Sequence, residues 1–214
     1  MPKILHSPQQ KYLNQFRTQN DELITQMEKY AEENSIPILD WQSSDFLEQL
    51  VLISKPKKVL EIGTAIGYST IRIARLLNKN SEIDTIEKSK DNIKLALSNI
   101  KKSKLADRIN LLAGDAFDVM PKLEKKYDMI FLDADKEDYE NLFYHSVKLL
   151  RKGGIVVIDN LLWHGYAASS KVPPKYKVST EHIKKFNEIF MGHRKFKSTI
   201  MPIGDGLGIG IKIK

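Results

Sequence analysis

Acidic and amide side chains follow two apolar runs of this sequence, at the point where each run ends. Asp133 ends the predicted strand 127–133, and Asp159 with Asn160 ends the predicted strand 155–159. If these are neighbouring parallel strands, two carboxylates and one amide oxygen lie side by side at one edge of a sheet. Such hard oxygen ligands favour Mg²⁺, Mn²⁺ or Ca²⁺. The alternative is that the three residues only end strands and cap helices.

Lys136 lies three residues after Asp133. Beside a divalent cation a lysine has a lowered pKa, and its amine can act as a general base. The alternative, a surface lysine that opens a helix, is disfavoured by the positive end of the helix dipole. Asp133 and Lys136 are therefore candidate catalytic residues, whereas we interpret Asp135 as a strand end or helix cap. The histidines lack metal-ligand spacing and are assigned no role: His6, His145, His164, His182 and His193.

Two glycines, Gly63 and Gly67, lie in the turn after the first predicted strand. Glycine there lets the backbone approach a ligand closely at the carboxyl end of a strand. The spacing differs from the dinucleotide-binding fingerprint because Ala65 replaces a glycine. This difference disfavours a hydride-transferring dehydrogenase. A plain strand-to-helix turn remains the alternative when the motif is taken alone.

The next two predicted strands also end in residues suited to a nucleoside. Glu87 ends the second strand, where its carboxylate can accept hydrogen bonds from both ribose hydroxyls. Asp115 and Ala116 follow the third strand, where an adenine would lie. Each signal is weak alone, but three consecutive strand ends of this kind predict an adenosine-containing ligand.

The order of elements predicts an α/β fold that brings these strand ends together. Strands are predicted at 58–62, 82–87, 108–113, 127–133 and 155–159, and helices at 8–34, 44–54, 69–78, 90–102, 116–123, 137–151 and 180–191. This alternation favours a parallel sheet with helices on both faces. Two further runs, 197–203 and 207–213, flank an Asp-Gly turn and predict an antiparallel hairpin. We expect a single domain over 1–214, with an N-terminal helical extension over about 1–55.

Composition sets wider limits. The chain has 214 residues, no cysteine and a net charge of +7. The absence of cysteine excludes disulfides, thiolate zinc sites and cysteine nucleophiles. No apolar run is long enough for a membrane span, and no signal peptide is evident, so we expect a cytoplasmic protein without membrane association. The positive charge is either a solvated lysine-rich surface or a footprint for a polyanion such as RNA.

Taken as a set, these motifs resemble the metal-dependent catechol and caffeoyl-CoA O-methyltransferase family. The matching stretches are LEIGTAIGYS, AGDA, FLDADKEDY, IDNLLWHG and PIGDGL. The resemblance implies a class I methyltransferase (Rossmann-like) fold, S-adenosylmethionine as cofactor, and a homodimer with the N-terminal helix as a candidate contact. It implies Lys136 as the base and Mg²⁺, or Mn²⁺ or Ca²⁺, held by Asp133, Asp159 and Asn160. It implies a cofactor site formed by Glu61, Gly63, Gly67, Ser69, Glu87, Asp115, Ala116 and Asp133.

Other stretches, AEENSIPI and ADRINLLAGDA among them, are similar to bacterial members that methylate 5-hydroxyuridine at the tRNA wobble position. This similarity implies tRNA as the substrate and 5-methoxyuridine as the product. The alternative is a small catechol-like or hydroxycinnamoyl substrate, and a non-catalytic binding protein is disfavoured by the intact metal and base residues. Trp163, Tyr139 and the loop 164–178 are the candidate substrate contacts. Candidate tRNA contacts are Lys171, Lys175, Lys177, Arg194, Lys195 and Lys197, with Lys3, Lys11 or Arg17.

Overall fold

The computed structural model describes residues 6–18 and 21–214. Its strands are β1 (Lys58–Ile62), β2 (Glu82–Glu87), β3 (Ile109–Ala113), β4 (Tyr127–Leu132), β5 (Leu150–Ile158), β6 (Phe196–Met201) and β7 (Leu207–Lys212). Its α-helices are α1 (Ser7–Asn14), α2 (Glu22–Glu33), α3 (Trp41–Ser54), α4 (Tyr68–Leu76), α5 (Lys90–Ser103), α6 (Ala116–Val119), α7 (Tyr139–Leu149) and α8 (Lys177–Gly192).

In this part of the chain the strands form one seven-stranded sheet in the order β3-β2-β1-β4-β5-β7-β6. The strands β1 to β5 are parallel, whereas β7 is antiparallel to both β5 and β6. The predicted fold, a mostly parallel sheet with a C-terminal antiparallel hairpin, is confirmed. The carboxyl ends of β1, β2, β4 and β5 therefore meet at one edge, which we call the carboxyl edge.

Helices cover both faces of the sheet, and each face has its own apolar core. On one face α2, α3, α4 and α5 contribute Met27, Leu47, Ile71 and Ala96 to a core that also includes residues of the strands. On the other face α7 and α8 contribute an aromatic cluster that includes Phe143. Burial on both faces explains why the central strands are nearly continuous apolar runs. No helix in the described part of the chain is both long and apolar enough to cross a bilayer.

The predicted helix 8–34 is wrong, because two helices occupy its described residues. Helix α2 begins anew at Glu22, where the Asp21 side chain accepts a hydrogen bond of 2.9 Å from the Ile24 amide. Helix α1 buries none of its residues, and Tyr12 on it is exposed. The apolar spacing across 8–34 therefore does not mark one continuous buried face. Residues 19 and 20 of the prediction lie outside the described residues.

The predicted boundary between helix 137–151 and strand 155–159 is also wrong. Helix α7 ends at Leu149, and β5 begins at once with Leu150. The Gly153-Gly154 pair lies inside β5, where its pairing with β4 shifts register, and Gly153 has a φ of 77°. The two glycines form an irregularity within the strand, which glycine tolerates, rather than a linker before it.

Candidate active site

Two acidic residues lie side by side at the carboxyl edge. The pairing of Leu132 with Ile158 places Asp133 and Asp159, the next residues, at the ends of adjacent strands. Asp159 is 4% exposed, and its Oδ1 has no hydrogen-bond partner among the described residues. Asn160 follows with a left-handed φ of 62°. A buried carboxylate oxygen without a partner is costly unless a ligand completes it.

The electrostatics of the acidic pair favour a bound cation. Burial raises the pKa of Asp159 well above its ordinary value, and the neighbouring Asp133 raises it further. Both effects oppose the ionised form, and a divalent cation would reverse them. No cluster of three His, Cys, Asp or Glu side chains in the described chain could hold a metal ion. A cation here would therefore need an oxygen of another kind, such as the Asn160 amide.

Lys136 contacts the acidic pair directly. Its Nζ donates to Asp133 Oδ1 at 3.1 Å and to the Ala134 carbonyl at 2.9 Å. Burial lowers the pKa of Lys136, but Tyr139 and Asp133 raise it by more, so that it stands above its ordinary value. This differs from the lowered pKa that we expected. The expectation assumed a cation beside the lysine, whereas here the lysine itself neutralises Asp133.

A cavity of about 610 Å³ opens at the carboxyl edge, within the size range of small-molecule sites. It extends from the end of β2 to the acidic pair. Most of the residues predicted from the sequence lie on its wall: Gly63, Ser69, Glu87, Asp115, Ala116, Asp133, Lys136, Asp159, Asn160 and Trp163.

The turn after β1 requires glycine at position 63. Its φ is 99°, and a Cβ at this position would lie 1.9 Å from the Asp133 carbonyl oxygen. Only glycine fits where the turn passes so close to the end of β4. Gly63 therefore lies between two ends of the cavity: the acidic end at Asp133 and Asp159, and the end lined by Glu87, which we call the nucleoside end.

Glu87 is held by the backbone on both sides. Its Oε2 accepts from the Ala65 amide at 2.8 Å, and its Oε1 accepts from the Ser89 amide at 2.8 Å. The carboxylate is thereby fixed on the cavity wall, and each oxygen keeps a second lone pair for a ligand. On the neighbouring strand end, Asp115 caps α6 by accepting from the Phe117 amide at 2.9 Å.

Three predicted site residues do not reach the cavity wall. Glu61 is fully buried beneath it and accepts a hydrogen bond of 2.6 Å from Ser69, which does line the cavity. Gly67 is the N-cap residue that precedes α4, with a φ of 85°. Tyr139 is fully buried and donates to the Asp159 carbonyl at 3.1 Å. The substrate contact predicted for Tyr139 is therefore wrong, because its ring packs in the core and its hydroxyl supports the acidic pair from behind.

Sequence reasoning missed other residues of the site. His164, to which no role was assigned, lines the cavity beside Trp163. Asp135 makes no side-chain capping bond and instead pairs with Lys88 at 2.6 Å, and both line the cavity. Asp205 accepts a hydrogen bond of 3.2 Å from the Asn160 side chain. Its position in the Gly-Asp-Gly turn was a signal that could have found it.

An aromatic cluster borders the acidic end of the cavity. The ring centroid of Trp163 lies 4.9 Å from that of His164 and 6.0 Å from that of Tyr176. Tyr166 packs on Tyr176 at 5.2 Å, behind this first layer. The Lys136 ammonium lies 5.8 Å from the Trp163 ring. The cluster can therefore bind a flat, apolar ring beside the acidic pair.

The predicted basic residues divide between two edges of the sheet. Lys171, Lys175 and Lys177 are exposed on the segment that carries Tyr176. In contrast, Arg194, Lys195 and Lys197 lie at the start of β6, because Phe196 pairs with Lys212 at the far end of β7. That end is about 17 Å from the carboxyl edge at the usual rise per residue. Of the candidate tRNA contacts, these last three therefore lie away from the cavity.

The remaining basic candidates lie near the N-terminus. Arg17 forms a 2.7 Å ion pair with Glu28, which also accepts a 2.7 Å hydrogen bond from Tyr68 on the cavity wall. Lys11 lies in the last turn of α1. Lys3 is outside the described residues.

The chain is similar to known O-methyltransferases in sequence and in structure. The chain is 30% identical to a catechol O-methyltransferase of Niastella koreensis, over 78% of this chain and 74% of that protein. Its structure resembles the O-methyltransferase TomG of Streptomyces achromogenes in complex with SAM, at 25% identity and a TM-score of 0.83, over 95% of both chains. It also resembles a Bacillus cereus O-methyltransferase in complex with SAH, at 26% identity and a TM-score of 0.81, over 94% of this chain and 96% of the other. A family model described as O-methyltransferase matches residues 13–213, so the chain that carries this site belongs to the O-methyltransferase family.

Proposed function

We propose that this protein transfers a methyl group from S-adenosylmethionine to an oxygen of a substrate that presents two adjacent oxygen atoms, with a divalent cation as cofactor. The observation that carries the proposal is the unpartnered, buried Asp159 Oδ1 beside Asp133, on the wall of a cavity whose other end holds Glu87. Family membership and the SAM and SAH complexes of two similar structures support the choice of methyl donor.

The nucleoside end of the cavity fits an adenosyl group. Glu87 offers carboxylate lone pairs to ribose hydroxyls, and Asp115 to Phe117 line the wall where a base would lie. S-adenosylmethionine supplies a methyl group on a sulfonium, which an oxygen nucleophile can displace in line. In that displacement the new carbon–oxygen bond forms as the carbon–sulfur bond breaks, and the hydroxyl proton must leave.

Asp133, Asp159 and Asn160 fit a divalent cation, because they provide two carboxylates and an amide at one point of the wall. When bound, such an ion supplies Lewis acidity that lowers the pKa of an acceptor hydroxyl. Lys136 accepts the released proton at Nζ. That role requires the neutral amine, which the Asp133 carboxylate opposes at 3.1 Å. Lys136 therefore acts as a base only while the charge of Asp133 is compensated.

A small catechol-like acceptor is the substrate class that the site supports best. Two adjacent oxygens suit chelation by one hard cation, and the aromatic cluster suits a flat ring beside it. The curated relatives include a catechol O-methyltransferase and plant caffeoyl-CoA O-methyltransferases.

A 5-hydroxyuridine in tRNA is the second candidate, because its 5-hydroxyl and 4-carbonyl are also adjacent oxygens. The specific observation in its favour is the position of Lys171, Lys175 and Lys177 on the segment of the aromatic cluster. Lysines there could contact phosphates while a flipped base stacks on Trp163.

The test is transfer of labelled methyl from S-adenosylmethionine to catechol, to caffeoyl-CoA and to tRNA that carries 5-hydroxyuridine. We expect activity with Mg²⁺ or Mn²⁺, loss of activity after EDTA and dialysis, and loss in Asp159→Asn. Asp118→Asn is the matched control, since Asp118 is exposed and off the cavity wall. Full activity in metal-free buffer would refute the cation, and no transfer to any of the acceptors would refute the substrate class.

A pair of triple variants separates the two substrate candidates. Changing Lys171, Lys175 and Lys177 to Glu should raise KM for tRNA steeply and reduce its salt dependence, if tRNA is the substrate. The same change at Arg194, Lys195 and Lys197 removes equal charge at the opposite end of β6 and β7. Equal effects of the two variants on tRNA, or turnover of catechol alone, would refute the tRNA candidate.

A further inference from the structure

We propose that Asp205 is a positioning residue that fixes which atom of the Asn160 amide faces the cavity. The inference rests on the proposed cation site. Asn160 Nδ2 donates to Asp205 Oδ2 at 3.2 Å. A carboxylate only accepts hydrogen bonds, so the amide nitrogen must point toward Asp205. The amide oxygen then points the other way, toward the cavity that Asn160 lines.

The amide needs such a constraint because its two ends have nearly the same shape. Oxygen and nitrogen of an asparagine side chain exchange places by a half-turn about one bond. Only the oxygen can bind a cation, since the NH₂ group has no lone pair to offer. The partner of Nδ2 therefore decides whether Asn160 is a ligand.

Asp205 is itself rigidly placed. It lies between Gly204 and Gly206, at which a Cβ would lie 2.1 Å from Ser43 Oγ and 2.5 Å from the Leu162 amide, respectively. The turn is thus closely packed between α3 and the segment after β5. Main-chain bonds join the two sides as well, since the Leu162 amide donates to the Asp205 carbonyl at 2.9 Å.

The same carboxylate also holds the segment that carries Trp163. Its Oδ1 accepts from the backbone amide of His164. Asn160, Trp163 and His164 have left-handed φ values of 62°, 46° and 55°, a conformation that asparagine tolerates but that is unfavourable for the bulky Trp163. Asp205 therefore stabilises both the amide orientation and the strained segment beside it.

Asp205→Asn and Asp205→Ala separate orientation from charge, because both remove one negative charge. In Asp205→Asn the new Oδ1 can still accept the hydrogen bond from the His164 backbone amide. The new NH₂ group then points toward Asn160. Two NH₂ groups cannot pair, so the Asn160 amide rotates and presents nitrogen to the cavity. In Asp205→Ala the Asn160 amide is free to adopt either orientation.

The measurement is Mn²⁺ affinity of the whole protein, by loss of the free Mn²⁺ signal in electron paramagnetic resonance, with thermal unfolding to verify the fold. We expect Asp205→Asn to weaken affinity about 10–100-fold, the range for residues that orient metal ligands, and Asp205→Ala to weaken it less. The double variant Asp205→Asn with Asn160→Asp should restore affinity to within a few-fold of the wild type. A carboxylate at 160 presents oxygen in either orientation, and the net charge is unchanged.

Each outcome decides the matter. Equal affinity in the wild type and Asp205→Asn, an Asp205→Ala variant as weak as Asp205→Asn, or a double variant no tighter than Asp205→Asn would overturn the positioning role. Absence of Mn²⁺ binding in the wild type would instead overturn the proposed cation site, and with it this inference.

Discussion

Glu61 should make the stability of the protein depend on pH, and Glu61→Gln should remove its contribution to that dependence. The side chain is fully buried and accepts hydrogen bonds from Ser69, Thr70 and Thr85. Burial raises its pKa from 4.5 to about 7, although the three hydroxyls lower it. The buried carboxyl therefore keeps its proton at pH values where the unfolded chain has lost it.

The sign follows from the proton balance. Between pH 4.5 and about 7 the folded protein binds a proton that the unfolded chain does not. Stability from this group is thus complete below pH 4.5, falls as pH rises toward 7 and levels off above it. The difference between 4.5 and about 7, at about 1.4 kcal/mol for each pH unit, corresponds to about 3 kcal/mol. Because Glu61 is fully buried, no solvent screening reduces this figure.

The assay is urea unfolding at intervals from pH 4.5 to 8, followed by tryptophan fluorescence, on wild type and Glu61→Gln. The difference between the two free energies of unfolding cancels every other titrating group. It should shift by about 3 kcal/mol in favour of Glu61→Gln as pH rises. Glu181→Gln, at an exposed position, is the control and should follow the wild type. A difference between wild type and Glu61→Gln that does not change with pH would refute the reasoning.

Three further substitutions test other parts of the structure. Gly63→Ala should lower the free energy of unfolding by about 2–4 kcal/mol, because its Cβ would lie 1.9 Å from a carbonyl oxygen. A loss below about 0.5 kcal/mol in urea unfolding would contradict the close approach. Lys136→Met should lower kcat by about 10²–10⁴ in initial-rate assays while affinity for S-adenosylmethionine in calorimetry stays the same; a kcat within a few-fold of the wild type would exclude the base role. Arg72→Met should lower the free energy of unfolding by about 1–3 kcal/mol, measured by thermal unfolding. This loss is smaller than the loss expected when a fully buried ion pair is broken. Arg72 bonds Glu48 and Asp45 at 2.6 Å, and these partners are 29% and 45% exposed, so an unchanged melting temperature would show that the pairs contribute nothing.

The central strands could be predicted from the sequence because buried strands contain short, recognisable groups of aliphatic residues. Lys58–Ile62 and Glu82–Glu87 have the bounds predicted for them, and each carries buried aliphatic residues, Val59 and Leu60 in the first and Ile83 and Ile86 in the second. The N-terminal helices could not be predicted in this way. Apolar spacing over 8–34 is compatible with one helix, but the Asp21 cap and the surface that α2 covers divide it. Spacing alone does not reveal what a helix face will contact.

In the site, the positions of residues along the strands could be predicted from the sequence. The directions of side chains, and contacts between residues distant in sequence, could not. Asp133 and Asp159 were predicted as neighbours because parallel pairing fixes which residues lie side by side. Tyr139 was misplaced because it begins α7, and the direction of its ring depends on the core that α7 and α8 share. Asp205 was missed because it meets Asn160 across 45 residues of chain. Contacts of that kind come from the order of β5 and β7 in the sheet, which local patterns do not specify.

Several features that cost stability lie at the carboxyl edge. Asp159 and Glu61 are buried carboxyls with raised pKa values, and Trp163 has a left-handed conformation that is unfavourable for a bulky side chain. Much of the sheet interior is apolar and fully buried, as at Phe131, although Asp84 and Thr85 of β2 are buried there as well. Departures from local stability are expected where a protein binds or reacts. A cation at the proposed site would offset the burial and the neighbouring Asp133 charge that raise the pKa of Asp159.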